Sequence, residues 1–292
     1  MFLGEDIYGM QPIWEGLVSI YDEISRICDR HNLRYYVTDG TALGAVRHAG
    51  FIPWDDDLDV AMPRPDYNKF LRIASEELPE HLKIVTWKNT PEYNLLFAKV
   101  QETRRDYVQA IENQTGRMLS NGIYVDVFPI DGYPSDRSVA KREYRLFCLY
   151  RTLLRFKGTN FWEQSKKGKL VWLAGLVLSP FFPWLWSREC ILQKEEASVQ
   201  RITFDEAIDT GRSIDSYGIY GHSPERKSVW GHPTLKKVGE KGLMFPENIL
   251  EHLQVRYGDY MKLPPEHKRK PAHQYSYRCA WWLGPTTSKL AY

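Results

Sequence analysis

Cysteine is scarce in the 292-residue sequence, and Cys28, Cys148, Cys190 and Cys279 stand far apart with no C-x-x-C pair. That spacing suggests neither a zinc cluster nor a disulfide framework, and reduced thiols in a cytosolic protein are the plain reading. An excess of one charge is also missing. The 39 Lys and Arg face 37 Asp and Glu for a net charge of +2, so bulk charge gives no reason to expect nucleic acid as a partner. The opening MFLGEDIYGMQPIW carries early acids and no basic region ahead of an apolar stretch, unlike a secretory leader. No internal repeat is visible. With 43% hydrophobic and 26% charged residues, the composition excludes a largely disordered or fibrous chain. Aromatic residues are plentiful instead: 10 Trp, 18 Tyr and 12 Phe. They suffice for a sizeable core and leave aromatics for sugar, ring or membrane-interface contacts.

The sequence approaches a membrane span at 170–186, which reads LVWLAGLVLSPFFPWLW and is seventeen residues without a charge. That is short of the roughly 20 residues a comfortable span needs, and Pro180 and Pro183 would break a helix late in it. Two readings stand: a helix buried under the main domain, or a segment that lies in the bilayer interface without crossing it. Between Asp136 and Cys190 eleven basic residues face four acids. This composition suits an anionic leaflet, and equally a solvated helical face.

Apolar residues at Ile13, Trp14, Leu17, Ile20, Ile24, Ile27 and Cys28 recur every three or four positions and predict an amphipathic helix. A short strand follows at 34–38, then a turn at Asp39 and Gly40, a helix over 41–48, and a strand over 58–62. Pro65 opens a helix reaching Leu78, and further strands are expected at 83–87, 95–101 and 123–128. Strands and helices alternate through the first 130 residues, which points to an α/β or α+β fold around a mixed sheet. Residues from about 136 to 205 read as mainly helical. Tyr257-Gly-Asp-Tyr-Met-Lys-Leu-Pro-Pro265 reads as a helix end and a proline stop before a basic run.

The strongest signal is Trp54-Asp-Asp-Asp-Leu-Asp-Val60. Four carboxylates in five residues repel one another unless something positive sits among them. If a strand begins after Asp57, then Asp57 and Asp59 share a face with Leu58 buried behind. Two such carboxylates suit a hard divalent cation, which takes carboxylate, water and phosphate oxygens. An Asp-rich solvated turn would give the same run. A calcium loop is excluded, because Val60 stands where that loop needs glycine and Pro63 and Pro65 interrupt it. The surroundings favour the metal. Asp39-Gly40-Thr41 sits at a strand-to-helix turn, where glycine lets a phosphate approach backbone N–H groups. Asp126 stands alone between Val125 and Val127 in an apolar strand, a costly place unless it meets a cation or donors. Together these features predict a metal-dependent site for transfer of a phosphoryl-linked group.

The run Asp39-Gly-Thr-Ala-Leu-Gly-Ala-Val-Arg-His-Ala-Gly-Phe-Ile-Pro-Trp-Asp-Asp-Asp-Leu-Asp-Val-Ala-Met-Pro-Arg64 resembles the signature of the LicD family. The resemblance extends to Val125-Asp-Val-Phe-Pro-Ile-Asp131 and to the motif at 257–265. It implies a nucleotidyltransferase-like fold, related to DNA polymerase β and shared with the fukutin group. It implies a catalytic core at 1–135, a helical insertion at 136–205 that holds the apolar 170–186 stretch, and a part at 206–292 that completes the catalytic domain. The activity it implies is transfer of phosphocholine from CDP-choline, or of a phospho-alditol from another CDP-activated donor. The acceptor would be a hydroxyl of a surface glycan such as teichoic acid, capsule or lipopolysaccharide, lipid-linked in some settings. Carried over by position, Gly40 and Thr41 hold donor phosphate, and Asp57 and Asp59 bind Mg²⁺, with Mn²⁺ as an alternative. Asp126 is the third carboxylate, as metal ligand or as base for the acceptor hydroxyl. Arg47, His48, Lys99 and His273 are the expected phosphate or nucleotide contacts, a structural role being the alternative for both histidines. The implied setting is cytoplasmic, at the inner face of the cytoplasmic membrane, with peripheral membrane contact and no nucleic acid.

Two other readings compete, true nucleotidyl transfer with release of pyrophosphate and a non-catalytic binder of glycan or nucleotide at the membrane. The interfacial reading of 170–186 has its own test. If it holds, exchanging Trp184 and Trp186 for Ser releases the protein from anionic vesicles in a pelleting assay at low and high salt. Unchanged pelleting returns the segment to the core.

Overall fold

The computed structural model describes residues 6–91, 93–103, 107–110, 122–158, 173, 187–212, 224–271 and 274–277. The 170–186 stretch (Leu173 apart) and His273 lie outside these. Among the described residues no helix is long and apolar enough to cross a membrane. The chain divides into two units, one of Met1–Val85, Ala98–Phe128 and Ser228–Tyr292, the other of Thr86–Phe97 and Pro129–Lys227.

In the first unit the apolar stripe read from the sequence forms α1 (Gln11–Arg30), and all seven of its residues are buried. The chain then alternates as expected through β1 (Tyr36–Val37), α2 (Asp39–Arg47), β2 (Asp59–Pro63), α3 (Arg64–Glu77), β3 (Leu82–Val85) and β4 (Ala98–Glu102). β5 (Tyr107–Ala110) follows, and then β6 (Tyr124–Tyr133). The sheet order is β1-β2-β6-β4-β3, with β1 antiparallel to β2, and β4 antiparallel to both β3 and β6. The strand order is not the chain order, so β6 is inserted between β2 and β4. α1 and α3 pack on this sheet through Leu17, Ile20, Ile24 and Phe70 against Val60, Val100, Val125 and Val127. Each such side chain, once buried, contributes about 1.5–3 kcal/mol. The hairpin of β9 (Thr234–Val238) and β10 (Lys241–Phe245) adds Leu243 and Phe245 to the same core.

In the second unit the last residues of β6, from Ile130 to Tyr133, pair antiparallel with β7 (Asp209–Arg212), which pairs with β8 (Glu225–Arg226), and the short α6 (Lys227–Trp230) follows in the chain. Among the described residues two helices dominate, α4 (Arg137–Gly158) and α5 (Arg188–Val199), packed on each other through Phe147, Leu154, Ile191 and Leu192. Arg188 closes the segment that leads into β4. Its guanidinium donates to the carbonyls of Trp87, Thr90 and Tyr93 and to Asn94 Oδ1, at 2.6–3.3 Å. Across the helix pair, Arg151 Nε lies 2.6 Å from Glu195 Oε1, and the Glu195 side chain is fully buried.

Burial pushes the Glu195 carboxyl up from its ordinary 4.5 to about 7, although Arg151 pulls it down. The native state therefore holds a proton that the unfolded chain releases at lower pH. The associated stability is fully present below about pH 4.5 and is lost as pH rises through about 7. Relative to Glu195→Gln, the parent should lose on the order of 2–3 kcal/mol of unfolding free energy between pH 5 and pH 8. Urea unfolding of both proteins at the two pH values measures this, and a difference independent of pH contradicts it.

Candidate active site

The first unit brings together the turn into α2, the acidic loop before β2, and α7 (Ile249–Tyr257). Asp39 starts α2 with φ +47°, so a non-glycine residue takes the left-handed conformation where the chain reverses from β1. Thr41 is buried, and its Oγ1 accepts the Asp59 backbone N–H at 2.9 Å. The Thr38 N–H in turn donates to the Asp59 carbonyl at 3.1 Å. The helix start is thus sewn to the start of β2, which fixes the loop between them.

That loop is held from below by α1. Trp14 stacks on Phe51 with ring centroids 5.2 Å apart, and its indole N–H donates to the Asp55 carbonyl at 2.7 Å. So fixed, Asp55, Asp56 and Asp57 bring one carboxylate oxygen each to within 4.8 Å of one another. Burial pushes the Asp55 carboxyl well above the usual carboxylate range, and the neighbouring Asp57 and Asp56 push it further. Gly40 faces this carboxyl directly. A Cβ added there would lie 2.3 Å from Asp55 Oδ2. A side chain at 40 would displace the Asp55 carboxyl from the space it now occupies.

Asp57 belongs to this group, whereas Asp59 and Asp126 stand outside the three that converge. The Asp126 N–H donates to the Leu58 carbonyl at 3.0 Å, which puts Asp126 beside the acidic loop along the sheet. Its carboxylate accepts from Lys99 Nζ at 2.6 Å, with both side chains largely buried. Lys99 is directly opposite Asp126 in the β4–β6 register and also lies over the Tyr124 ring. The donor that a buried Asp126 requires is therefore supplied by the neighbouring strand.

Arg47 and His48 end α2 at the rim. The Arg47 guanidinium donates to the Tyr260 carbonyl at 2.9 Å, tying α2 to the chain after α7. His48 is half-buried, edge-on to Trp54, and burial together with Arg47 lowers its pKa below 6.5, so it is neutral at neutral pH. The Arg269 guanidinium also lies against the Trp54 ring.

Sequence reasoning missed the cation and phenol that α7 delivers. Arg256 Nε donates to Asp39 Oδ1 at 2.6 Å. Burial raises the Tyr257 hydroxyl well above its ordinary range, as do Asp39, Asp59 and Asp55 nearby, while Arg256 pulls it down. Tyr257 was visible as the first residue of the motif at 257–265, but no local pattern marks Arg256. An open cleft of about 530 Å³ lies in the second unit, lined by Trp87, Lys88, Glu189, Gln193, Glu196, Ala197 and Gln200. It shares no residue with the acidic cluster.

Residues 32–152 match the family model for the LicD/FKTN/FKRP nucleotidyltransferase domain. The chain is 30% identical over 260 residues to the lipopolysaccharide cholinephosphotransferase LicD of Haemophilus influenzae, covering 88% of this chain and 92% of that one. Shorter matches join it to uncharacterized proteins of Rickettsia typhi, 39% identical over 60 residues (20% of this chain, 19% of that one), and of Rickettsia prowazekii, 40% identical over 50 residues (17% and 19%).

The fit of Gly40 against Asp55 generates a test. Alanine is the better helix former by about 0.8–1 kcal/mol, so Gly40→Ala should leave thermal stability near the parent's. The displaced Asp55 carboxyl should nonetheless lower turnover about tenfold or more, since small misplacements at a reacting site are expensive. Melting temperature and turnover measured together decide it. Turnover within twofold of the parent refutes the packing argument.

Proposed function

The chain belongs to the LicD family, and on that premise we propose that it transfers phosphocholine, or a related phospho-alditol, from a CDP-activated donor to a hydroxyl of a cell-surface glycan. The observation that carries this reading is the convergence of Asp55, Asp56 and Asp57 against Gly40 at the start of α2. Three carboxylates so close, one of them driven toward its protonated form by burial and by the other two, form a set of hard oxygen donors. Such a set fits Mg²⁺, with Mn²⁺ as an alternative, and a bound cation would replace the proton. Asp55, Asp56 and Asp57 would hold it, together with Asp59 as the spacing of the acidic run suggests. Bound there, the cation supplies neutralisation of the donor's phosphate charge.

The remaining work falls to the chain. The first amides of α2, at Gly40 and Thr41, favour a donor phosphate at a helix start. The acceptor hydroxyl oxygen attacks the phosphorus that bears choline, the bond from that phosphorus to CMP breaks, and the hydroxyl proton passes to a carboxylate. Asp126 is suited to receive it, because Lys99 fixes its orientation from the opposite strand. Relatedness over nearly the full length of a lipopolysaccharide cholinephosphotransferase supports choline phosphate as the transferred group and a glycan as acceptor. We place the reaction at the inner face of the cytoplasmic membrane, where the basic and apolar 136–205 region would meet an anionic leaflet.

Incubation with CDP-choline, Mg²⁺ and a glycan acceptor should release CMP. Pyrophosphate released from a nucleoside triphosphate would indicate nucleotidyl transfer instead, and neither product would indicate a binding protein. Asp57→Asn should keep the fold and lose about 10²–10³ in turnover. Asp126→Asn should bind CDP-choline and Mg²⁺ near the parental affinity while transfer falls by roughly 10²–10⁴. A parallel loss of binding in the second variant makes Asp126 a ligand and removes it as the base.

A further inference from the structure

α7 (Ile249–Tyr257) has no task in the chemistry above, yet it grips the turn that opens α2 at two consecutive residues. His252 and Arg256 are four positions apart and so share one face of α7. The ring nitrogen Nε2 of His252 lies 3.0 Å from Thr38 Oγ1, with both residues fully buried. Arg256 Nε donates to Asp39 Oδ1 at 2.6 Å, the two side chains being only 4% and 16% exposed. Trp230 packs against the His252 ring at 4.8 Å and holds it from behind. α7 itself packs on α2.

Asp39 is the residue held at φ +47°. A left-handed non-glycine residue persists where its surroundings over-determine it, and here the charge-assisted bond from Arg256 is one such restraint. The direction in which α2 starts, and so the placement of the Gly40 and Thr41 amides, follows from that residue. Arg256 also offsets one carboxylate next to the place where an anionic phosphate must settle. We propose that His252 and Arg256 are positioning residues: α7 clamps Thr38 and Asp39, and so fixes the phosphate-binding turn at Gly40 and Thr41. The inference rests on the reading of that turn as the donor-phosphate site, and it adds the part of the chain that sets its geometry.

The experiment compares the parent with Arg256→Met, Arg256→Lys, Asp39→Asn and the double variant Asp39→Asn/Arg256→Met. Two quantities are read. The first is amide hydrogen exchange at 38–44 in the ligand-free chain, with α3 (Arg64–Glu77) as internal control. The second is calorimetric binding of CMP and of cytidine, which lacks the phosphate. Arg256→Met should speed exchange at 38–44 about tenfold and leave α3 unchanged. It should weaken CMP about tenfold and cytidine by less than about twofold, with Arg256→Lys recovering part of the loss. The double variant should lose no more than the worse single variant, because both break one interaction. Unchanged exchange at 38–44, or equal weakening of CMP and cytidine, overturns the clamp. If Arg256→Met fails to fold, Arg256→Lys and Asp39→Asn carry the same two measurements. A parent that binds neither CMP nor CDP-choline refutes the donor reading, while the exchange data still decide whether α7 holds the turn.

Discussion

Mutual repulsion among Asp55, Asp56 and Asp57 is the force that the first unit must contain. Left to itself, a loop with three adjacent carboxylates would spread them into water, where each is best solvated. The fold prevents this from three sides. The indole of Trp14 holds the Asp55 carbonyl, Thr41 holds the Asp59 amide, and the bare Cα of Gly40 leaves just enough room for the Asp55 carboxyl. Each restraint is anchored in the core, since Trp14 stacks on Phe51 within the cluster built by α1 and the sheet. Packing energy from apolar residues is thereby converted into proximity of like charges, which is the arrangement a hard cation rewards.

Two ion pairs keep the rest of the acidic neighbourhood from adding to that repulsion. Lys99 answers Asp126 from across a strand pair, and Arg256 answers Asp39 from α7. Both pairs are largely buried, where an ion pair acts more through placement than through net stabilisation. Their effect is to give Asp126 and Asp39 cationic partners apart from the group that Asp55, Asp56 and Asp57 form. Tyr257, itself 39% exposed, lies at the border between these groups and is near Asp39, Asp59 and Asp55.

The local patterns were legible in the sequence because they depend on short-range periodicity. The apolar stripe of α1 at Ile13, Trp14, Leu17, Ile20, Ile24 and Ile27 is buried throughout, and α3 starts at Arg64, one residue before the expected Pro65. The acidic run announced itself by composition alone. What escaped was whatever depends on a partner far along the chain. The strand expected to end at 128 continues to Tyr133 because β7, some eighty residues later, pairs with its last residues. Asp126 could be read as costly to bury, but that Lys99 meets it depends on the β4–β6 register, which neither strand reveals. Asp55 and Asp56 join Asp57 from a loop where strand alternation has no force, so an alternation argument could not single them out.

The bonds from α7 to the turn at Thr38 and Asp39 span 214 and 217 residues of chain. This has a consequence for the order of synthesis. A ribosome makes the glycine turn, the acidic loop and most of the sheet long before it makes the helix that balances Asp39 and holds the turn in shape. Through that interval the growing chain carries its acidic loop without the cation from α7, and loop closure over so long a separation is slow. The site is completed by a helix 214 residues further along the chain than the turn it holds, so partial chains that stop short of Arg256 carry the signature motifs without the geometry that gives them use.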